Sequence, residues 1–400
     1  MPQFFVTCAK NLESLLKDEI AHIALQGQLP AKLKETVAGV YVEGPMELGY
    51  RLCLWSRLSN HVLLTLSQFE VNNPEMLYQE IQKIPWIRHL SPEGTLWIDV
   101  SGSHARFHHP HFVAQKIKDA IVDQIRTPEG KRPSIQEHRP DIVLNLHMDK
   151  GILTLSLNLS GESLHKRGYR LEGGKAPLKE TLAAALLMRA GWLQYLQTPQ
   201  AHHVFLDPMC GSGTLILEAA LMAFDIAPGL GRSYFGFIAW PLHEPLLWKK
   251  LLEEAQHRKN QGLESCRRSI HFFGSDIHPQ ALSKSLENLE RARLNDRVSL
   301  YPQDCKELQI PQFEDFNEVG FILCNPPYGE RMDAQEVDGL KGLFHQFGLA
   351  LKKRFLGWHL GILSAAPKEC SQALKIRSKK QYAFFNGALP CQLFLYEVSE

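Results

Sequence analysis

Two short stretches carry residue types that a fold can combine for chemistry. The first is Phe205-Leu206-Asp207-Pro208-Met209-Cys210-Gly211-Ser212-Gly213-Thr214. An apolar run ends in a carboxylate and a tight glycine turn, and no Gly or Pro follows until Pro228. This is the pattern of a first βα turn in an open α/β sheet, where ligands sit at the carboxyl ends of the strands. Gly211 and Gly213 let the backbone turn sharply and approach a ligand. A dinucleotide fingerprint would need a third glycine where Ile216 stands, and no Gly-Lys-Ser/Thr phosphate loop follows. A glycine turn without phosphate machinery suits a cofactor without phosphates, such as S-adenosylmethionine. The plainer reading is a glycine-rich connection with no ligand.

The second stretch is Phe321-Ile322-Leu323-Cys324 followed by Asn325-Pro326-Pro327-Tyr328-Gly329-Glu330-Arg331. Four apolar residues suit a buried strand. The prolines then fix an extended segment that holds an amide, a backbone carbonyl and an aromatic ring in set relation. An exocyclic amine on a base offers two hydrogens beside a π face. The Asn325 side-chain oxygen and the Pro326 carbonyl can accept the hydrogens, and Tyr328 can stack on the ring. The plainer reading is a Pro-Pro strand terminator with a surface tyrosine.

The elements around these stretches alternate. Strands are predicted at residues 3–8, 37–42 and 62–69, with helices at 12–23, capped by Asn11, and 48–58. This suggests a small ferredoxin-like unit. A helix at 76–84, a strand at 95–101, a helix at 113–125 and a hairpin over 140–157 follow. Residues 161–175, rich in glycine and basic side chains, read as a flexible linker before a helix that starts near 176–182. Residues 225–268 interrupt the alternation after the glycine turn. Strands at 270–275, 298–301, 321–324 and 358–363, helices at 280–294 and 340–353, and a hairpin about Asn386-Gly387 complete the pattern.

Composition sets outer bounds. The chain has 400 residues, net charge +1, 44% hydrophobic and 22% charged residues, enough for two or three ordinary globular domains. Near-neutral charge leaves nucleic-acid binding to a local basic patch. Eight cysteines form no Cys-x-x-Cys pair, which fits free thiols in a reducing compartment. No signal peptide or membrane-length apolar run is present, so the reading expects a cytoplasmic protein. His104, His108, His109 and His111 lack an acidic or thiol companion and read as a solvated basic loop, with no metal expected.

The motifs Asp-Pro-Met-Cys-Gly-Ser-Gly-Thr and Asn-Pro-Pro-Tyr-Gly-Glu-Arg together resemble the Rossmann-like amino-methyltransferases that carry a THUMP RNA-binding domain. Among these the chain is most similar to the guanine-N2 methyltransferase module of the RlmL type, which acts on 23S ribosomal RNA. The resemblance covers nearly the whole chain. It implies an α/β protein with a ferredoxin-like domain at 1–58, a THUMP domain at 59–160, a linker at 161–178 and a methyltransferase domain at 179–400. A single methyltransferase module is expected, without the fused second one found in some relatives.

The resemblance further implies site residues. S-adenosylmethionine would be held by Asp207, Pro208, Cys210, Gly211, Gly213 and Thr214, by Asp276 and Ile277 at the ribose, by Asp304 at the adenine, and by Thr181 near the methionine end. Asn325, Pro326, Pro327 and Tyr328 would be catalytic. RNA, as 23S rRNA or an assembling large subunit, would meet Arg106, Lys116, Lys118, Lys131, Arg132, Lys166, Arg167 and Arg170. Rival readings are guanine-N2 methylation of tRNA and adenine-N6 methylation of DNA, since each target is an exocyclic amine. A rival of another class is an RNA-binding assembly factor with a non-catalytic methyltransferase domain.

Overall fold

The computed structural model describes residues 1–103, 107, 109–170, 178–265, 269–310, 319–327 and 334–399, the side chains of 334–338 excepted. The chain divides into two compact units, one of Met1–Leu164 with Arg232–Glu253, the other of His165–Gly231 with Glu254–Glu400.

The first unit is built on one eight-stranded sheet. Its strands are β1 (Gln3–Thr7), β2 (Lys32–Thr36), β3 (Gly39–Glu43), β4 (His61–Glu70), β5 (Thr95–Gly102), β6 (Ser134–Ile135), β7 (Ile142–Asp149) and β8 (Ile152–Asn158). The order is β2-β3-β1-β4-β8-β7-β5-β6. The ferredoxin-like strands therefore continue into the later ones through antiparallel β4–β8, with an irregularity between Thr65 and Ser67. Helices α1 (Glu13–Gln26), α2 (Met46–Trp55), α3 (Pro74–Gln82) and α4 (Pro110–Ile125) complete the framework. Local chemistry sets their limits. The Asn73 side chain accepts the Met76 N–H at 2.8 Å and Pro74 opens α3, so one otherwise orphaned donor is satisfied. Leu77 and Ile81 then bury one face.

Two expectations differ here. Asn11 does not cap α1; it takes a left-handed φ of 70° and Leu12 occupies the cap position without a side-chain hydrogen bond. Asparagine is among the few residues that tolerate that backbone. Strand β2, Lys-Leu-Lys-Glu-Thr, was not predicted. It is an edge strand, so it needs no apolar face, and its charges suit an exposed edge.

Residues Arg232–Glu253, which follow the glycine turn in sequence, belong to this first unit. The Arg232 guanidinium donates to the carbonyls of Ser160, Glu162 and Ser163. Tyr234 donates to the Pro140 carbonyl at 2.9 Å, and Trp240 Nε1 donates to His89 Nδ1 at 3.1 Å. The Tyr50 hydroxyl on α2 accepts the Glu244 N–H at 3.1 Å and lies 3.0 Å from His243 Nδ1. Tyr50, Phe237 and Trp248 pack ring against ring.

The second unit holds strands β9 (His203–Asp207), β10 (Ile270–Asp276), β11 (Val298–Pro302), β12 (Phe321–Cys324), β13 (His359–Ser364), β14 (Lys380–Asn386) and β15 (Leu389–Glu397). Its helices are α5 (Glu180–Ala190), α6 (Trp192–Tyr195), α7 (Thr214–Ala223), α8 (Pro245–Ser265), α9 (Pro279–Ala292), α10 (Ala334–Arg354) and α11 (Pro367–Ala373); the division between units falls within α8. The order β11-β10-β9-β12-β13-β15-β14 is parallel up to β13 and closes with an antiparallel pair. All five residues of β9 are buried, as expected where both faces of a parallel strand are covered. The chain moves outward from β9 through β10 to β11, then returns to β12 on the other side of β9. That reversal is the topological switch point, where an open α/β sheet binds ligands. The hydrogen-bonded register of β9 with β12 covers only Phe205–Phe321 and Leu206–Ile322.

Replacing Tyr50 with Phe removes the hydroxyl that serves Glu244 and His243. We expect the N-terminal unit to lose about 1–2 kcal/mol. Denaturant unfolding monitored by near-ultraviolet circular dichroism checks this, with an earlier midpoint and an unchanged slope expected.

Candidate active site

Four polar side chains stand at or just past the carboxyl ends of adjacent strands: Asp207 on β9, Asp276 on β10, Asp304 after β11 and Asn325 after β12. The glycine turn lies above β9. Gly211 has φ 54° and Gly213 φ 77°, both left-handed, and Gly213 is the N-cap of α7. A Cβ at Gly211 would meet nothing within 4 Å, so open space adjoins the turn. A Cβ at Gly213 would press on Ser285 at 3.0 Å.

The turn is fixed from β10 and α9. Cys210 N–H donates to the Ser275 carbonyl at 2.9 Å, and Gly211 N–H donates to Asp276 Oδ2 at 2.9 Å. Ser285 Oγ donates to the Gly211 carbonyl at 2.7 Å, and Asn288 Nδ2 to the Ser212 carbonyl at 2.9 Å. Ser285 and Asn288 were not singled out from the sequence. Their signal was available: they are polar residues three apart, on the face of α9 that also buries Leu289.

Asp207 is 2% exposed, and its carboxylate accepts only the Met209 N–H, at 3.2 Å, among the described residues. Burial, and secondarily the nearby Asp276 charge, push its carboxyl up to about 8 against the opposing pull of that N–H. Asp276 uses its other oxygen to accept the His278 N–H at 2.9 Å. Neither Asp207 nor Asp276 forms an ion pair with a described Lys or Arg. Asp304 caps a short 3-10 turn by accepting the Lys306 N–H at 3.0 Å, with Lys306 Nζ 3.6 Å away. Ile277 is exposed, whereas Pro208, Cys210 and Thr214 are buried. Burial pushes the Cys210 thiol upward, so it is a packing group and not a thiolate. Thr181 is buried in the first turn of α5.

Asn325 Oδ1 is buried and accepts no hydrogen bond among the described residues. A buried acceptor without a donor is costly and unusual. Pro326 is buried and Pro327 exposed; Tyr328 lies outside the described residues.

The basic candidates separate. Lys131 is exposed and pairs with Glu93 at 2.7 Å, Lys118 pairs with Asp119 at 2.9 Å, Arg132 is exposed, and Lys116 is half-buried on α4. Arg106 lies outside the described residues, as do His104 and His108. Lys166 is half-buried. Arg167 and Arg170 are placed otherwise than expected for a positive linker surface. Arg167 is 3% exposed with Nε 3.6 Å from Glu218 Oε1. Arg170 donates to the Leu178 carbonyl at 3.1 Å and lies 3.3 Å from Glu180 Oε1. Two buried carboxylates draw these cations inward, since an unpaired buried charge is strongly destabilising. No group of three or more described His, Cys, Asp or Glu residues is arranged for a metal. No helix of described residues is long and apolar enough to cross a membrane.

Residues 167–394 match the RMKL-like methyltransferase domain family, residues 71–158 the THUMP domain, and residues 3–63 the RlmL ferredoxin-like domain. The ribosomal RNA large subunit methyltransferase K/L of Pseudomonas aeruginosa is 44% identical over 399 residues, which is 99% of this chain and 53% of that protein. The chain thus spans about half the length of the curated relatives it matches. Among solved structures, a "predicted N6-adenine-specific DNA methylase" from Listeria monocytogenes superposes with TM-score 0.81 at 25% identity, covering 99% of this chain and 96% of its own. A putative methyltransferase, SMU.472, complexed with SAH superposes with TM-score 0.83 at 22% identity, covering 100% and 98%.

The environment of Asp207 gives a pH dependence. Its folded value, about 8, lies above its ordinary value of 3.8. The stability this group contributes is therefore complete below about pH 4 and is lost as pH rises through 8. Asp207→Asn removes that loss. Without added ligand, its melting temperature relative to the unsubstituted protein should rise between pH 5.5 and pH 8.5 by at least about 3 °C. Calorimetric melts at both pH values check this, with a constant difference as the contrary outcome.

Proposed function

This chain belongs to the RMKL-like methyltransferase family, and on that premise we propose that it methylates the exocyclic N2 of a guanine in 23S ribosomal RNA, using S-adenosylmethionine. The observation that carries the reading is the buried Asn325 Oδ1, without a partner among the described residues, at the switch-point end of β12. Among the described residues no donor reaches it, and we read it as the acceptor for a substrate N–H.

The sulfonium cofactor fits the residues present. Asp207 and Asp276 are two neighbouring carboxyl groups without a described cation, and a positively charged ligand beside them would favour the ionised form that burial opposes in Asp207. Gly211 and Gly213 would flank it, with Pro208, Cys210 and Thr214 shaping the turn. Asp276 and Ile277 would meet the ribose, Asp304 the adenine, and Thr181 the methionine end. When bound, this cofactor supplies an electrophilic methyl group.

The chain's own residues do the rest by placement. Asn325 Oδ1 accepts one amine hydrogen and the Pro326 carbonyl the other, which makes the nitrogen more tetrahedral and aims its lone pair. Pro327 stiffens the segment and Tyr328 stacks on the base. No strong base is needed before transfer, because the proton leaves afterwards. The gain is one of orientation and of hydrogen bonds strengthened in the transition state. The guanine is reached by flipping. Lys116, Lys118, Lys131, Arg132 and Arg106 would contact phosphates without reading sequence.

Asn325→Ala should bind S-adenosylmethionine as the unsubstituted protein does and lose about 100-fold or more in methyl transfer. Asp276→Asn should instead weaken cofactor binding at least about tenfold. Calorimetry and a labelled-methyl assay separate the two, and near-normal turnover by Asn325→Ala would sink the catalytic assignment. For the substrate, large-subunit rRNA, small-subunit rRNA, tRNA and duplex DNA are incubated with labelled cofactor, digested and resolved by mass spectrometry. N2-methylguanosine from large-subunit rRNA is expected. N6-methyladenine from DNA, or label confined to tRNA, would replace the substrate assignment.

A further inference from the structure

Residues 165–170 begin the second unit, and three of their side chains meet α7 and α5. Arg167 Nε lies 3.6 Å from Glu218 Oε1, and the buried Tyr169 hydroxyl donates to the same oxygen at 3.0 Å. The Arg170 guanidinium donates to the Leu178 carbonyl, faces Glu180 Oε1 at 3.3 Å, and donates to the Thr214 hydroxyl. Thr214 is the first residue of α7 and Glu218 stands one turn later. Glu180 is the first residue of α5. The segment therefore runs along the first turn of the helix whose N-cap is Gly213, and one guanidinium ties the starts of two helices together.

This arrangement is not explained by stability. Glu218 is fully buried in a helix that is otherwise apolar apart from Thr214. An apolar residue of similar size would pack there without the cost of desolvating a charge. What the buried pairs secure is position. Arginine's planar fork can hold a carbonyl, a carboxylate and a hydroxyl at once, whereas lysine presents a single point of charge. His165 Nδ1, 3.1 Å from Glu180 Oε2, gives that carboxylate a second hydrogen-bond partner.

We propose that Arg170 is a positioning residue of the cofactor turn, holding Thr214, and through it the Gly211–Gly213 backbone, in the geometry that receives the cofactor. The inference rests on the reading of this turn as the S-adenosylmethionine site.

The test is a double-mutant cycle on the full chain. Arg170→Lys and Thr214→Val are each expected to weaken S-adenosylmethionine binding by calorimetry about tenfold, and the double variant by little more than either, since both remove one shared contact. In both variants the KM for S-adenosylmethionine should rise in step with the weakened binding while kcat falls less, a split that general loss of structure would not give. Thr214→Ser keeps the acceptor and should bind normally, which tests the inference even where Arg170→Lys fails to fold. Unweakened binding by Arg170→Lys, multiplied effects in the double variant, or equal losses in Thr214→Ser and Thr214→Val would each overturn it. Failure of the unsubstituted protein to bind the cofactor would overturn the underlying reading and this inference together.

Discussion

The left-handed backbone of the turn between β9 and α7 is the constraint on which the second unit depends. With φ of 54° at Gly211 and 77° at Gly213, the chain reverses within a few residues and starts a helix directly above the strand end. Such a turn exposes carbonyls and N–H groups that must find partners. Asp276, Ser275, Ser285 and Asn288 supply them. The same bonds set how β10 and α9 lie against β9. The geometry of the turn and the packing of three neighbouring elements are thus one requirement.

Charge is buried where position matters. The carboxylates of Glu180 and Glu218 are compensated by Arg170 and Arg167, and His165 lies 3.1 Å from Glu180. Asp207 has no such cation among the described residues and is held above its ordinary range by burial and by Asp276. Asn325 Oδ1 likewise has no donor among the described residues. The compensated groups stand on α5 and α7, and the uncompensated ones at the carboxyl ends of β9 and β12. A low-dielectric site makes an unpaired polar group expensive and, for the same reason, makes a matching ligand group bind strongly.

Sequence order and spatial unit part company at one place. Arg232–Glu253 leaves the methyltransferase region and joins the first unit through Arg232, Tyr234, Trp240 and the Tyr50 aromatic cluster. In sequence it is an interruption of the alternating elements, and nothing local named its partner. Likewise β4 and β8, about ninety residues apart, join the ferredoxin-like and THUMP regions into one sheet. Pairings at that separation depend on which apolar faces meet, and many registers satisfy a local pattern equally.

The sequence by itself determined the βα turn, the Asn-Pro-Pro segment, the apolar strands beside them and the family. Each of these is a local constraint: glycine for positive φ, proline for fixed φ, unbroken apolar runs for strands buried on both faces. Only the tertiary structure decided which polar groups are spent and which are open. Arg167 and Arg170 are basic residues in a glycine-rich stretch, and composition alone put them on a surface. Two buried carboxylates on α5 and α7 pull them inside, and Glu180 and Glu218 looked like ordinary helix residues until the helices were packed. Ser285 and Asn288 became partners of the turn only once α9 lay against it. Asn325 is the converse case. Its type and place were legible, but that its oxygen is buried with no donor among the described residues is a property of what packs around it.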